Sequence, residues 1–312
     1  MGQVDYGNVS CDPSLVKTRV VWAIQSPTLL NRLAKGSWVL EAADFGDASF
    51  SERQQLAVPT WDGRADGVAA CFVCSPDHVR NARERLPGVP IMRVAHQGYH
   101  QKLPACDESV GTLCFAEAIR DFVGEAVVNK PVWVIRPAFE VKPVWQWGGR
   151  FVWSMMSRPK TRERIAMAGF ESVAAIAKTQ LRMFGEDQPE GALSGEARDR
   201  LMLDCSAYLT ALEPRTGFGL AEHEAMSMGC PVIGNRWCDM AWLKARGEKV
   251  PSLGFRDYGD IYTIAEIVDR VARDMSFAEE ISEEETEYVA CRYTSQQMNL
   301  GIEAFLDTVG GA

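Results

Sequence analysis

The residues of this chain best suited to chemistry lie in one run, Glu213-Pro-Arg-Thr-Gly-Phe-Gly-Leu-Ala-Glu-His-Glu-Ala-Met-Ser-Met-Gly-Cys-Pro-Val-Ile233. Gly217 and Gly219 permit a tight turn and let a ligand come close to main-chain N–H groups. A helix beginning near Leu220 aims its unpaired N–H groups and positive dipole end into the same space. Such a turn suits a diphosphate and the sugar it carries. Glu222 and Glu224 fall at the start of that helix, where a carboxylate is favourable against the dipole even without a ligand. Two strands must hold the turn. Ala207 to Leu212 reads as a buried strand leading in, and Cys230 to Gly234 begins the next one after a helix ended by Gly229.

A departing diphosphate must be neutralised as its bond to the sugar breaks, and cations or helix N-termini do this where no metal serves. Arg158 and Lys160, in Ser157-Arg-Pro-Lys-Thr-Arg-Glu-Arg164, follow an expected strand over Arg150 to Met156. They offer a forked guanidinium and a mobile point charge. The alternative for this run is a solvated basic helix start, which is the reading for Arg162 and Arg164. His96 follows an expected strand over Pro90 to Ala95, where it could orient an acceptor hydroxyl or serve as a structural hydrogen-bonding residue. An inverting reaction would need a base against that hydroxyl, for which Asp44, Asp47 and Glu117 are further candidates. No Asp-x-Asp metal motif occurs, since Asp44-Phe-Gly-Asp47 has one residue too many.

The run from Gly217 to Ile233 resembles the donor-site signature of glycosyltransferase family 4 and related retaining enzymes of the GT-B fold. The resemblance implies an α/β chain of two Rossmann-like lobes, with mostly parallel sheets and a cleft between them. It implies transfer from a nucleotide diphosphate sugar to an acceptor hydroxyl, with no cofactor and no metal. The donor would lie on Gly217, Phe218, Gly219, Leu220 and Ala221, with Glu224 on the ribose hydroxyls and Arg158 and Lys160 on the diphosphate. The family usually spaces that basic pair more widely. In the family an acidic residue eight positions before the ribose glutamate supports the transferred sugar. Here that position is Thr216, which can hydrogen-bond a sugar hydroxyl but cannot stabilise developing positive charge, and Glu213 lies three residues away. The catalytic candidates are therefore His96, Thr216 and Glu213. Retention of anomeric configuration is implied by the resemblance and depends on the position that departs from it. The alternative is a GT-B-like nucleotide-binding or regulatory protein without transfer activity.

Around this run, apolar strands alternate with helical patterns. Arg19 to Ile24, Ser37 to Glu41, Gly67 to Cys74, Pro90 to Ala95 and Lys130 to Ile135 read as strands, with helices over Val79 to Leu86 and Phe115 to Val123. Residues 1–145 form the expected acceptor-side domain and 146–290 the nucleotide-sugar domain, joined by a linker within Pro137 to Gly149. Residues 291–312 form a terminal helix that the resemblance implies crosses back to the first domain. No Gly-x-Gly-x-x-Gly follows the first strand, which argues against a nicotinamide dehydrogenase.

With 312 residues, 46% hydrophobic and 24% charged, the chain can bury the cores of two ordinary domains. Its net charge of -9 weighs against a large nucleic-acid footprint, so a glycan, metabolite or protein acceptor is mildly favoured over a hydroxylated base of modified DNA, as in some bacteriophages. No apolar run approaches the roughly 20 residues that span a bilayer, and the N-terminus lacks a basic segment followed by an apolar one. A cytoplasmic location is the expectation. Nine scattered cysteines suggest no disulfide framework, and Cys71 and Cys74 read as core residues. The acidic run Glu279 to Glu287 reads as a solvated helix face.

Overall fold

A computed structural model describes residues 18–23, 27–45, 56–73, 76–95, 109–126, 130–155, 161–184, 195–210, 218–236, 238–257 and 260–310. Six strands form the first sheet: β1 Arg19–Ala23, β2 Val39–Ala43, β3 Val68–Val73, β4 Ile91–Ala95, β5 Gly111–Cys114 and β6 Val132–Val134. They run in the order β2-β1-β3-β4-β5-β6, every pairing parallel. Helices α1 Pro27–Leu33, α2 Pro76–Arg85 and α3 Glu117–Ala126 connect them. The second sheet has β7 Phe151–Met155, β8 Gln180–Phe184, β9 Ala207–Leu209, β10 Val232–Asn235 and β11 Phe255–Arg256, in the parallel order β11-β10-β9-β7-β8. Its helices are α4 Thr161–Ile176, α5 Gly195–Asp204, α6 Leu220–Ser227, α7 Cys238–Ala245, α8 Ile261–Arg273 and α9 Met275–Arg292, and α10 Ser295–Gly310 ends the chain.

The strands are parallel because both of their faces are apolar and helices cover them: every residue of β4 and β5 is buried. Both sheets share one winding. The chain starts inside the sheet, adds one strand on one side, then crosses over and continues on the other. The order therefore reverses between β1 and β3 in the first sheet and between β7 and β9 in the second. Ligands of open parallel sheets bind beyond the carboxyl ends of strands at such a reversal. The segment that leaves β9 there is the one leading to Gly219 and α6.

The first core stacks Trp22 on Phe72 at 4.5 Å between ring centroids and sets Trp38 edge-on to both. Met298, Ile302 and Phe305 of α10 are fully buried in this same core. Close approach of α10 to β6 requires Gly301, where an added Cβ would stand 2.8 Å from the Val134 carbonyl oxygen. The second sheet has one core against α6 and α9, with Trp153, Met226, Val232 and Tyr288, and another against α4 and α8, with Val152, Leu209, Ile233, Ile264 and Val268.

Three expectations are corrected. The strand β5 has no strand pattern of its own in the sequence; Gly111-Thr-Leu-Cys114 is short, and it is a strand because β4 and β6 hydrogen-bond it on both sides. Helix α3 starts at Glu117 rather than Phe115, because Phe115 and Ala116 leave β5 as buried residues of the core. The acidic run is not solvated throughout. Glu285 is fully buried and accepts the Val232 N–H at 2.9 Å, and burial pushes its carboxyl well above the usual range. Glu284 accepts the N–H groups of Ser252 and Leu253 at 2.8 and 2.9 Å.

The segment between the sheets is not a free tether. Phe139 N–H donates to the Tyr293 carbonyl, Lys142 N–H to Ser227 and Trp145 N–H to Met228, while Trp145 Nε1 donates to Cys205. Apolar Phe139 and Trp145 thus lay the segment along the second lobe. Cys71 is buried as expected, whereas Cys74 lies outside the described residues. Among the described residues no helix is long and apolar enough to cross a membrane.

Candidate functional site

The site is built on α6. Gly219 is its N-cap with φ -78° and ψ 87°, and among the described residues no side chain makes the N-cap hydrogen bond, although the Glu222 carboxyl turns back to its own N–H. The helix stops at Gly229, whose φ of +79° is the left-handed conformation that glycine adopts freely. Residues 222 to 227 are all buried, so α6 is wedged into the protein rather than lying on its surface.

His223 secures the entry to the helix. Its Nδ1 lies 2.6 Å from the Gly219 carbonyl oxygen, and its ring stacks on Phe218 at 4.5 Å and 11°. Burial pushes its pKa down to about 4, so the ring is neutral and Nδ1 carries the proton it donates to that carbonyl. Phe218 in turn touches Phe115 of the first lobe, Phe139 of the connecting segment and Tyr293. The turn therefore rests on an aromatic cluster drawn from both lobes.

Glu222 reaches back to the end of β9, where its Oε1 accepts the Thr210 hydroxyl at 2.6 Å. Burial raises its carboxyl above the ordinary value. It pins the beginning of the segment after β9 to the helix that ends it, and a Cβ at Gly219 would press on its Oε2. Glycine there leaves room for that carboxyl.

Glu224 is 3% exposed and lies between two arginines. Arg32 of α1, in the first lobe, gives Nε to Oε1 at 3.1 Å and its Nη2 to the same oxygen. Arg198 of α5 gives Nη1 to Oε2 at 2.6 Å. Local packing aims both cations. Leu29, Leu30 and Leu33 bury the inner face of α1 and leave Arg32 on its flank, where its guanidinium lies 4.3 Å from the centre of the Phe139 ring. Leu201 and Met202 anchor α5 one turn beyond Arg198.

A second polar cluster lies below the aromatic residues. Tyr293 donates its hydroxyl to Asp239 Oδ2 at 3.1 Å. Burial, reinforced by the nearby Glu117 charge, pushes Asp239 up to about 6; Glu117 is itself ion-paired with Arg136. A carboxyl whose folded pKa exceeds its unfolded value of 3.8 costs stability as pH rises from about 4 to 6, and the whole cost is present above that window. Asp239→Asn should therefore stabilise the protein at pH 7.5 by roughly 1–3 kcal/mol and leave it unchanged at pH 4. His223 titrates alike in both proteins, so it cancels in the difference. Urea denaturation at the two pH values checks this; an equal effect at both would remove the buried charge from the explanation.

Of the residues expected in the donor site, Phe218, Gly219, Leu220, Ala221 and Glu224 come together at the start of α6. His96, Arg158, Lys160, Glu213, Thr216 and Gly217 lie outside the described residues, as does Asp47. Glu117 is engaged by Arg136, and the Asp44 carbonyl accepts Arg85 at 2.8 Å. Arg32, Arg198 and the Glu222–Thr210 contact were not anticipated. Nothing in the sequence separates Arg198 from neighbouring Arg200, and Arg32 meets Glu224 from 192 positions away. Among the described residues no group of His, Cys, Asp or Glu could hold a metal ion.

No protein-family model matches the sequence, and no curated protein matches it. Solved structures do match in shape. HepE of Anabaena, crystallised with UDP and glucose, has a TM-score of 0.69 at 13% identity, over 93% of this chain and 100% of its own. Phage T4 beta-glucosyltransferase has a TM-score of 0.56 at 8% identity, over 93% and 99%. TarM has a TM-score of 0.57 at 15% identity over 77% of this chain, which spans 54% of TarM. At such identities the likeness is one of fold. The chain has a GT-B-like fold of two α/β lobes, shared with HepE, which has been crystallised with UDP and with UDP-glucose, and with the phage T4 beta-glucosyltransferase.

Proposed function

We propose that this chain is a metal-independent glycosyltransferase that moves a sugar from a nucleotide diphosphate sugar to an acceptor hydroxyl. The observation that carries the reading is the start of α6, where no described side chain makes the N-cap hydrogen bond, placed beyond the strand-order reversal of the second sheet, with the buried carboxylate of Glu224 one turn behind it. A diphosphate fits the N–H groups from Phe218 to Ala221. The ribose hydroxyls fall to Glu224, and Arg158 and Lys160 after β7 meet the diphosphate from the neighbouring strand. Residues 1–145 serve as the acceptor lobe, 146–290 as the donor lobe and 291–312 as the helix that couples them.

In the reaction the bond from the anomeric carbon to the phosphate oxygen breaks, its electron pair leaving with the diphosphate, and the acceptor oxygen bonds the carbon as its proton passes to an oxygen of the departing diphosphate on the same face. Developing negative charge on the diphosphate is met by the helix N-terminus and the cations. Thr216 and Glu213 are assigned to the transferred sugar and His96 to the acceptor side, with retention of configuration. Closure of the lobes would exclude water that hydrolyses the donor. The acidic total charge favours a glycan, metabolite or protein acceptor over DNA, in the cytoplasm.

The test is a thermal-shift screen of nucleoside diphosphates and nucleotide sugars with a chelator present, since a ligand of the native state raises apparent stability. A selective rise is expected; no rise across the panel would sink the reading. One feature favours a nucleotide-binding protein without transfer activity, namely Thr216 in place of an acid. Binding without donor turnover, unimproved by Thr216→Glu, would decide for it.

A further inference from the structure

The carboxylate of Glu224 offers about four lone-pair positions. Three are filled: Arg32 places two N–H groups on Oε1, and Arg198 places one on Oε2. A ribose diol brings two O–H donors and finds one position open. One arginine must therefore yield before both hydroxyls can bind.

The surroundings identify which one. Arg198 belongs to the same lobe as Glu224, reaches it from the adjacent helix and also contacts Asp199 at 3.3 Å. Arg32 comes from the opposite lobe, and its two bonds converge on a single oxygen. Its other polar contact is a long one, 3.5 Å to the Ala138 carbonyl. If Arg32 swings away it keeps the Phe139 ring surface beside it, and Glu224 keeps a counter-charge in Arg198.

We infer that Arg32 is an interlobe latch on the empty donor site, competing with the ribose diol for Glu224 Oε1, so that nucleotide entry breaks a bond between the lobes. The inference rests on the donor-site reading above. The two ligands of Glu224, one from the protein and one from the nucleotide, are then negatively coupled. By reciprocity, removing Arg32 must tighten nucleotide binding. A residue that merely held Glu224 in place would do the reverse when removed.

The test is calorimetric titration of the full chain with uridine, adenosine and guanosine diphosphates, each beside its 2′-deoxy counterpart. The deoxy form brings one hydroxyl to Glu224, which the open position accepts without displacing Arg32. For the ribonucleotide that binds, Arg32→Met should tighten binding about five- to tenfold, within the usual range of coupling between two equilibria. For its deoxy counterpart the gain should stay below about twofold. Arg198→Met should weaken both. Unchanged or weaker binding in Arg32→Met, or equal gains for the two sugars, overturns the latch while leaving the donor site standing. Failure of the unaltered protein and both variants to bind any of the six nucleotides overturns the donor-site reading and the latch with it. Arg32→Gln, which is shorter by two atoms and uncharged but keeps an amide N–H donor, replaces the methionine variant if that protein does not fold.

Discussion

Glu224→Ala should weaken nucleotide binding by about a hundredfold and lower stability by about 2 kcal/mol. The binding loss follows from two hydroxyl hydrogen bonds to a charged acceptor, each worth about 1.5–3 kcal/mol, less what is regained because the nucleotide no longer displaces Arg32. The stability loss has a different source. Removing the carboxylate leaves Arg32 and Arg198 facing each other without their counter-charge. Breaking a fully buried pair costs about 3–5 kcal/mol, but these arginines are 20% and 17% exposed and recover part of their hydration. Glu224→Gln keeps the volume and one acceptor oxygen, so it should lose about half of that stability while still losing most of the affinity. Urea denaturation and calorimetry on both variants separate the two effects. A stability loss with unchanged nucleotide affinity would make Glu224 a structural ion-pair residue alone.

Phe305→Ala should lower stability by about 3–5 kcal/mol, the usual cost of emptying a buried aromatic site. Phe305 is fully buried, tilted against Phe72 at 5.1 Å and edge-on to Trp133 at 5.4 Å. The collapse that would soften this cost is blocked on two sides, because both neighbours belong to strands locked in the sheet. For a chain of this size the loss corresponds to a fall in melting temperature of roughly 10 °C. It should come from the first lobe, although the residue lies near the end of the chain. An unchanged melting curve would mean that α10 is not part of that core. Because α10 follows α9 of the second lobe after a break of only two residues, weakening its seat should also loosen the lobes relative to each other.

Much of the sheet architecture was legible because buried parallel strands are continuous apolar runs. Val20 to Ala23, Val68 to Val73 and Ile91 to Ala95 carry few polar side chains, and the structure pairs them side by side. The start of α6 was legible for another reason: Gly219 and Gly229 bracket the helix, one leaving room for the Glu222 carboxyl and the other adopting a positive φ. What the sequence does not carry is created by tertiary contact. Gly111-Thr-Leu-Cys114 lacks the length and branching of a strong strand and becomes one through its neighbours. Glu285 sits in an acidic run that looks solvated, yet helix geometry turns that one side chain inward onto the Val232 N–H. Arg32 and Arg198 acquire meaning only when α1 and α5 are folded onto α6. A motif search sees glycines and acids near one another in sequence; it does not see a cation arriving from another lobe.

Every role proposed for this chain rests on a nucleotide diphosphate sugar binding at the start of α6. That binding is tested most directly by calorimetric titration, in the presence of a chelator, of the protein with the nucleotide sugar that raises its melting temperature most. One-to-one binding that survives the chelator and weakens about a hundredfold in Glu224→Ala is expected. Binding of equal strength in Glu224→Ala, or no binding of any nucleotide sugar, would contradict it.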